Sequence, residues 1–174
     1  MNGPYGKWTG PVMKRIYLMR HAEAGWGGPS PADLDRPLNE RGLSVAAFMG
    51  RYVSEHGHSP GALISSPARR AKETATLVKE NAGFASEIRF DARIYEASAN
   101  ALCEVASELD DAVASAMIVG HNPGMEDLVR YLTGRIEPMP TAAIAAIDLD
   151  ITSWGRIDHL AGALVTVIRP SSLL

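Results

Sequence analysis

Two histidines in this sequence follow short apolar segments, in positions that suit the binding and transfer of phosphate. Residues 16–19 are apolar and lead into Arg20 and His21, and residues 116–119 are apolar and lead through one glycine to His121. Such segments are typical of buried strands, and open α/β sheets bind ligands at the carboxyl ends of their strands. An arginine cation beside a nucleophilic imidazole at that edge would hold and attack a phosphoryl group.

A third segment adds two arginines near another predicted strand end. Residues 61–65 are predicted to form a short buried strand, with Ser66 as the N-cap of a helix, Pro67 as its first residue, and Arg69 and Arg70 in its first turn. Two cations there oppose the helix dipole, which favours anions at that end. Their presence therefore indicates a bound anion.

Each of these features also has a structural explanation when it is taken alone. An arginine-histidine pair can arise by chance, a single histidine is more often a hydrogen-bonded structural residue, and arginines on a helix are often solvated. Three predicted strand ends in one chain that all carry phosphate-compatible groups favour a functional site.

The order of these groups resembles the histidine phosphatase superfamily, whose signature is an arginine-histidine pair after the first strand, a later arginine and a second histidine. The small bacterial phosphohistidine phosphatases are the most similar subgroup, and the resemblance runs from about Met13 to the C-terminus. Besides Arg20-His21, the motifs that carry it are Arg36-Pro37-Leu38-Asn39-Glu40-Arg41-Gly42, Ser66-Pro67-Ala68-Arg69-Arg70-Ala71, Gly120-His121-Asn122-Pro123 and Met139-Pro140-Thr141-Ala142. Ala22 departs from the glycine that many members of the superfamily have after the histidine.

The resemblance implies roles for the residues that match these motifs. His21 is the expected nucleophile, which forms a phosphohistidine intermediate that water then hydrolyses. Arg20 and Arg70 are expected to hold the phosphoryl oxygens, with His121 as a further donor. Arg69 is expected either to face solvent or to assist from outside the first layer of contacts. The arginine cations are expected to lower the pKa of His21 below its usual value of about 6.5 and to keep the ring neutral at pH 7.

Three further residues are expected to bind substrate. They are Arg36, Ser66 and Asn122. For Arg36 a structural salt bridge with Asp33 or Asp35 is an alternative.

The acidic residues of the chain give less specific signals. Glu96 lies in the region where mutases and sugar-phosphate phosphatases of the superfamily have the glutamate that protonates an alkoxide leaving group. A phosphohistidine substrate needs less acid catalysis, because its leaving imidazole is already stable near pH 7. Glu126 and Asp127 are interpreted as solvated acids in the first turn of a helix, where they suit the helix dipole.

Length and patterning favour one catalytic domain over residues 13–174, after a flexible arm at residues 1–12. The chain has 174 residues and a hydrophobic content of 46%, which suits a single core. The pattern predicts helices at 40–56, 67–81, 100–109 and 124–132, and strands at 15–19, 61–65, 115–119, 142–149 and 162–168. This alternation predicts an α/β three-layer sandwich with a mostly parallel central sheet, helices on both faces and an antiparallel edge formed by the last two strands. The resemblance to the histidine phosphatase superfamily implies that this fold is like that of phosphoglycerate mutase.

Composition excludes several other classes of protein. A net charge of -3 argues against a nucleic-acid binder. The longest apolar runs fall short of the roughly 20 residues that span a bilayer. We therefore expect no membrane partner and a cytoplasmic location. Cys103 is the single cysteine and fits the apolar side of a helix. No metal site and no cofactor are expected.

The leading functional hypothesis is the hydrolysis of phosphohistidine on a protein. The segment between Glu96 and His121 is short and leaves little room for the capping insertions that enclose small sugar phosphates in larger relatives. One alternative is a phosphomonoesterase that acts on a small phosphorylated substrate. A different class, a non-catalytic phosphate-binding module, is disfavoured because binding alone needs cations and no nucleophilic imidazole.

Overall fold

The computed structural model describes residues 14–26, 28 and 32–174. The predicted flexible arm at residues 1–12 lies outside the described residues, so the division of the chain at residue 13 stays a prediction. None of the helices in the described part of the chain is long and apolar enough to cross a membrane.

One mixed six-stranded sheet with four helices forms the fold. The strands are β1 (Lys14–Arg20), β2 (Ala62–Ser65), β3 (Ile88–Phe90), β4 (Ser115–Gly120), β5 (Ile144–Leu149) and β6 (Gly162–Ile168). The helices are α1 (Glu40–Glu55), α2 (Arg69–Ala82), α3 (Ala99–Ser107) and α4 (Gly124–Thr133). The strand order is β3-β2-β4-β1-β5-β6; β3, β2, β4 and β1 are parallel, whereas β5 runs antiparallel to β1 and β6. The predicted mostly parallel sheet with an antiparallel edge is confirmed.

Helices cover both faces of the sheet, because the side chains of the central strands alternate between its two sides. On β1, Ile16 and Leu18 pack against buried residues of α3 and α4. Tyr17 and Met19 face the other way and pack against α1 and α2. The structure therefore confirms the predicted three-layer sandwich, and it explains why the central strands are apolar on both faces.

The register of β1 and β4 brings the two histidines together. Arg20 is the partner of Gly120, and the backbone N–H of His21 donates to the Gly120 carbonyl at 2.9 Å. His21 and His121 are therefore equivalent positions just beyond the ends of two neighbouring parallel strands.

The segment that follows His21 is held by the start of α1. The backbone N–H of Asn39 donates to the Glu23 carbonyl at 3.0 Å, and the Asn39 side chain caps α1 by accepting from the Gly42 N–H at 2.7 Å. A Cβ atom on Gly42 would lie 2.1 Å from the Glu23 oxygen. Only glycine permits this close approach, which gives a physical reason for the glycine of the Arg36 to Gly42 motif.

Two predicted element starts were wrong by two residues each, one strand was not predicted, and the other boundaries agree to within two residues. Helix α2 begins at Arg69 with Ala68 as N-cap, not at Pro67, because the backbone N–H of Ser66 still bonds to β4 through the Val119 carbonyl at 3.0 Å. Strand β3 was missed, since three residues at the sheet edge show no recognisable alternation. Strand β5 begins at Ile144, later than expected, because Ala142 adopts a left-handed φ of 63°.

Candidate active site

His21 presents an unprotonated ring nitrogen at the end of β1. Its side chain is 9% exposed, and Nδ1 lies 2.7 Å from the Ala22 carbonyl. A carbonyl only accepts hydrogen bonds, so Nδ1 carries the proton and Nε2 carries the lone pair. Burial lowers the pKa of His21 to about 4, with smaller contributions from the charges of Arg70 and Arg20. The sequence interpretation named the arginines as the cause of this shift; the structure shows burial to be the larger one.

Arg70 lies directly beside that lone pair. It is buried in the first turn of α2, and its Nε donates to His21 Nε2 over 3.4 Å. Its other two nitrogens bind Asp33: Nη1 donates to the backbone carbonyl at 2.7 Å and Nη2 to the carboxylate at 3.1 Å. Arg69 is instead exposed on the helix surface, where it pairs with Glu73 at 2.7 Å.

Asp33 is an anion held at the site by three groups. Its carboxylate accepts from the Tyr95 hydroxyl at 2.5 Å, from Arg36 at 3.1 Å and from Arg70. These hydrogen bonds, that of Tyr95 first, lower the pKa of Asp33 to about 2. The salt bridge left open as an alternative for Arg36 is therefore present, and Arg36 also stacks over the Trp26 ring at 4.4 Å.

His121 faces His21 from the end of β4. The two ring centroids are 5.2 Å apart, and the Tyr95 ring lies 5.5 Å away on the other side. His121 Nε2 is 2.8 Å from the Ser66 hydroxyl, while its Nδ1 is buried with no hydrogen-bond partner among the described residues. Burial, followed by the charges of His21 and Arg70, lowers the pKa of His121 to about 3.

Arg20 and Asn122 meet at the Met139 carbonyl. Arg20 Nη1 donates to it at 3.1 Å and Asn122 Nδ2 at 3.0 Å. The Asn122 amide also donates to Glu126 at 2.9 Å, so both of its N–H groups are used and only Oδ1 is left to contact a ligand. Arg20 Nε and Asn122 Oδ1 are buried with no partner among the residues that the structure describes.

Glu96 lies at the rim, apart from this cluster. It follows Tyr95, is exposed, and adopts a left-handed φ of 54°. Among the described residues no hydrogen bond or ion pair connects it to His21, His121 or an arginine. The structure thus brings His21, Arg20, Arg70, His121, Ser66, Asn122 and Arg36 to one end of the sheet and leaves the Glu96 side chain outside their hydrogen bonds.

Sequence reasoning missed three residues of this site. Asp33 was considered only as a partner of Arg36, and Tyr95 was not considered. Glu126, interpreted as a solvated acid, binds Asn122 and the Met139 backbone N–H. Asn122 precedes helix α4, so no helical spacing connects it with Glu126, and the sequence held no signal for this contact.

The chemical groups in the site suit a tetrahedral oxyanion. Two guanidinium groups and a second imidazole surround a histidine nitrogen with a free lone pair. No group of three His, Cys, Asp or Glu side chains suited to a metal occurs in the described parts of the chain, and the expectation that no metal takes part stays a prediction.

Comparison with known proteins agrees with this geometry. A sequence model of the histidine phosphatase superfamily (branch 1) matches residues 16–128. A structure from Agrobacterium tumefaciens, provisionally assigned as the phosphohistidine phosphatase SixA, is 27% identical, with a TM-score of 0.76 over 90% of this chain and 98% of that one. The protein histidine phosphatase SixA in complex with tungstate shares the fold at a TM-score of 0.80 and 21% identity, over 92% of this chain and 99% of that one.

Among curated sequences, an uncharacterised chloroplastic protein of Arabidopsis thaliana is 28% identical over 87% of this chain and 73% of its own length. The family match covers well over half of the chain and includes Arg20, His21, Arg70 and His121. The chain belongs to branch 1 of the histidine phosphatase superfamily.

Proposed function

We propose that this protein is a phosphatase that removes the phosphoryl group from phosphohistidine on a protein, with His21 as the nucleophile. The observation that carries the proposal is the state of the His21 ring: Nδ1 is committed to the Ala22 carbonyl, so the Nε2 lone pair faces Arg70 in the anion-binding end of the site. A phosphoryl group held by Arg70 places its phosphorus next to a nucleophile that is already unprotonated.

In the first step the His21 Nε2 lone pair forms a bond to phosphorus while the bond from phosphorus to the substrate nitrogen breaks. The electron pair of the broken bond stays on the leaving imidazole, which departs as neutral imidazole when its other ring nitrogen already carries a proton and otherwise takes a proton from solvent as the bond breaks. In the second step water attacks the phosphorus, the bond to Nε2 breaks, and phosphate is released. His21 returns to its neutral form, which its pKa of about 4 favours at pH 7.

The surrounding cations stabilise the transition state in both steps. Arg20 and Arg70 bind the equatorial oxygens, where negative charge is distributed during phosphoryl transfer, and His121 Nδ1 is the ring nitrogen available to a further oxygen. Removal of one such donor typically lowers kcat by about 10²- to 10³-fold. Arg36 and Ser66 adjoin these groups and contribute to substrate binding, Ser66 by orienting His121.

Two features favour a phosphohistidine substrate over a phosphomonoester. No hydrogen bond from a described residue holds Glu96 against a leaving group, and an imidazole leaving group needs no strong acid. Between Glu96 and β4 the chain contains only the nine-residue helix α3 and short turns. The segment that forms the cap in larger relatives is therefore small, and a protein side chain can approach the site.

The proposal is tested by turnover on a protein domain phosphorylated on histidine, compared with a panel of sugar and nucleotide phosphates. We expect the highest kcat/KM on the phosphorylated domain. Preference for one small phosphate by tenfold or more would establish the alternative, a small-molecule phosphomonoesterase. Binding of phosphate or tungstate without turnover of any substrate would establish a phosphate-binding module.

A further inference from the structure

We infer that Glu126 is a positioning residue of this site, which fixes the Arg20 guanidinium through the backbone of Met139. The inference rests on the proposed function, because its importance depends on the binding of a phosphoryl group by Arg20. It assigns a specific task to a side chain at the start of α4, which the sequence pattern alone presents as a surface acid.

The Glu126 carboxylate is the acceptor that organises its neighbours. A single oxygen, Oε1, accepts from the Met139 backbone N–H at 2.8 Å and from Asn122 Nδ2 at 2.9 Å. Hydrogen bonds to an ionised acceptor are stronger than neutral ones. The peptide before Met139 and the Asn122 amide are therefore both oriented by one carboxylate oxygen.

The next step of the network reaches the arginine. With its N–H bound by Glu126, Met139 directs its carbonyl to Arg20 Nη1 at 3.1 Å and to Asn122 Nδ2 at 3.0 Å. Glu126 thus acts on Arg20 indirectly, through Met139, whose carbonyl Arg20 binds, and through Asn122, which binds the same carbonyl. Charge acts in the same sense, since burial lowers the pKa of Arg20 and the Glu126 carboxylate opposes that effect.

The segment of residues 139–142 also forms backbone hydrogen bonds to the end of β1. The Ala142 N–H lies 3.1 Å from the Arg20 carbonyl and 3.0 Å from the His21 carbonyl. Ala142 is fully buried with φ 63°, a conformation that persists only where the surroundings enforce it. Residues 139–142 therefore hold both the side chain and the backbone of Arg20, and Glu126 anchors their first residue.

The adjacent acid offers a matched control. Asp127 lies in the same helical turn and is exposed, so it shares the favourable position of Glu126 relative to the helix dipole. Only Glu126 has contacts that lead to Arg20.

The experiment uses three variants that separate the effect of the length of the Glu126 side chain from the effect of its charge. Glu126→Asp keeps the charge but withdraws the oxygen by one methylene, Glu126→Gln keeps Oε1 as an acceptor without the charge, and Asp127→Asn is the control. For each protein, the affinity for tungstate is measured by calorimetry. The values of kcat and KM are measured on an aryl phosphate, and the melting temperature is measured as a control for folding. We expect Glu126→Asp to weaken tungstate binding and to lower kcat/KM by about 10- to 100-fold, the usual loss for such an outer partner.

Glu126→Gln, which keeps the acceptor oxygen without its charge, is expected to lose about three- to fivefold, less than Glu126→Asp, and Asp127→Asn is expected to match the wild type. Equal losses in both Glu126 variants, or a Glu126→Asp variant that resembles Asp127→Asn, would overturn the inference. A melting temperature that falls in Glu126→Asp alone, with unchanged tungstate affinity, would reduce Glu126 to a structural residue. Tungstate binding requires no turnover, so it tests the role of Glu126 independently of the proposed function. If the wild type bound tungstate but hydrolysed no substrate, the proposed function would be wrong, and the tungstate affinities of the variants would still test the role of Glu126.

Discussion

Asp33 binds both terminal nitrogens of the Arg70 guanidinium, one through its carboxylate and one through its backbone carbonyl. Its carboxylate is 3.1 Å from Nη2 and its backbone carbonyl is 2.7 Å from Nη1, while Nε faces His21. With a pKa of about 2, Asp33 is ionised at any pH at which the protein works. A phosphoryl group must therefore compete with an anion of the protein itself for Arg70.

Removal of that charge should strengthen anion binding. In Asp33→Asn, we expect inorganic phosphate to inhibit at about 3- to 30-fold lower concentration, because the population in which Arg70 is open to ligand increases. Asp35→Asn, in the same short helical turn and exposed, should leave the inhibition constant unchanged. A weaker inhibition constant in Asp33→Asn would show that Asp33 orients Arg70 for the ligand and does not compete with it.

Substitution of the nucleophile should abolish turnover while the fold survives. We expect His21→Ala to lose all measurable activity, since the other ring in the site, His121, is bound to Ser66 and no second histidine can take over the covalent step. Mass spectrometry of rapidly quenched wild-type enzyme should find phosphate on His21. Phosphate on another residue, or near-normal rates in the alanine variant, would disprove the mechanism.

The two buried histidines should make the protein sensitive to mild acid. Their pKa values are about 4 for His21 and about 3 for His121 in the folded state, against about 6.5 in an unfolded chain. Between pH 6.5 and about pH 4 the unfolded chain binds protons that the folded one does not, so stability falls as the pH falls. Each histidine contributes up to about 1.4 kcal/mol per pH unit to the free energy of unfolding.

Urea unfolding of the wild type and of His21→Asn at pH 7, 6 and 5 measures this contribution. Carboxylates elsewhere are expected to titrate equally in both proteins, so the difference between them reports His21 together with its effect on the pKa of His121. The wild type should lose more of its unfolding free energy between pH 7 and 5 than the variant does. Parallel curves would mean that His21 titrates normally in the folded protein.

Glu96 separates the two candidate substrates. If the leaving group is an imidazole, Glu96→Gln should leave phosphohistidine hydrolysis within about tenfold of the wild type and should lower phosphomonoester hydrolysis by roughly 10²- to 10⁴-fold, the loss typical of a general acid. Both substrates are measured on one preparation, so damage to the fold would lower the two rates together. A large loss on both would place Glu96 in phosphate binding or water activation, and no loss on either would remove it from the site.

The residues that lie at strand ends could be predicted from the sequence, whereas their partners could not. Residues 16–19 and 116–119 are apolar because they cross the core, and that pattern alone places His21 and His121 at the sheet edge. The contact of Asp33 with Arg70 joins a loop to a helix distant in sequence, and no periodicity reports such a pairing. The role of Glu126 was not predicted for another reason. An acidic residue in the first turn of a helix is already explained by its favourable interaction with the helix dipole, so nothing pointed to a further role.

The candidate active site can form during folding only after β1 has paired with β4. These two strands belong to distant parts of the chain, and the Arg20–Gly120 register that aligns the two rings exists only once they have joined. Contacts of such high contact order form slowly, since a long loop must close before they stabilise anything. The helices, whose backbone contacts are local, can therefore form earlier without any affinity for phosphate. A chain in which β1 and β4 have not yet paired is inactive, and its most apolar strands remain exposed.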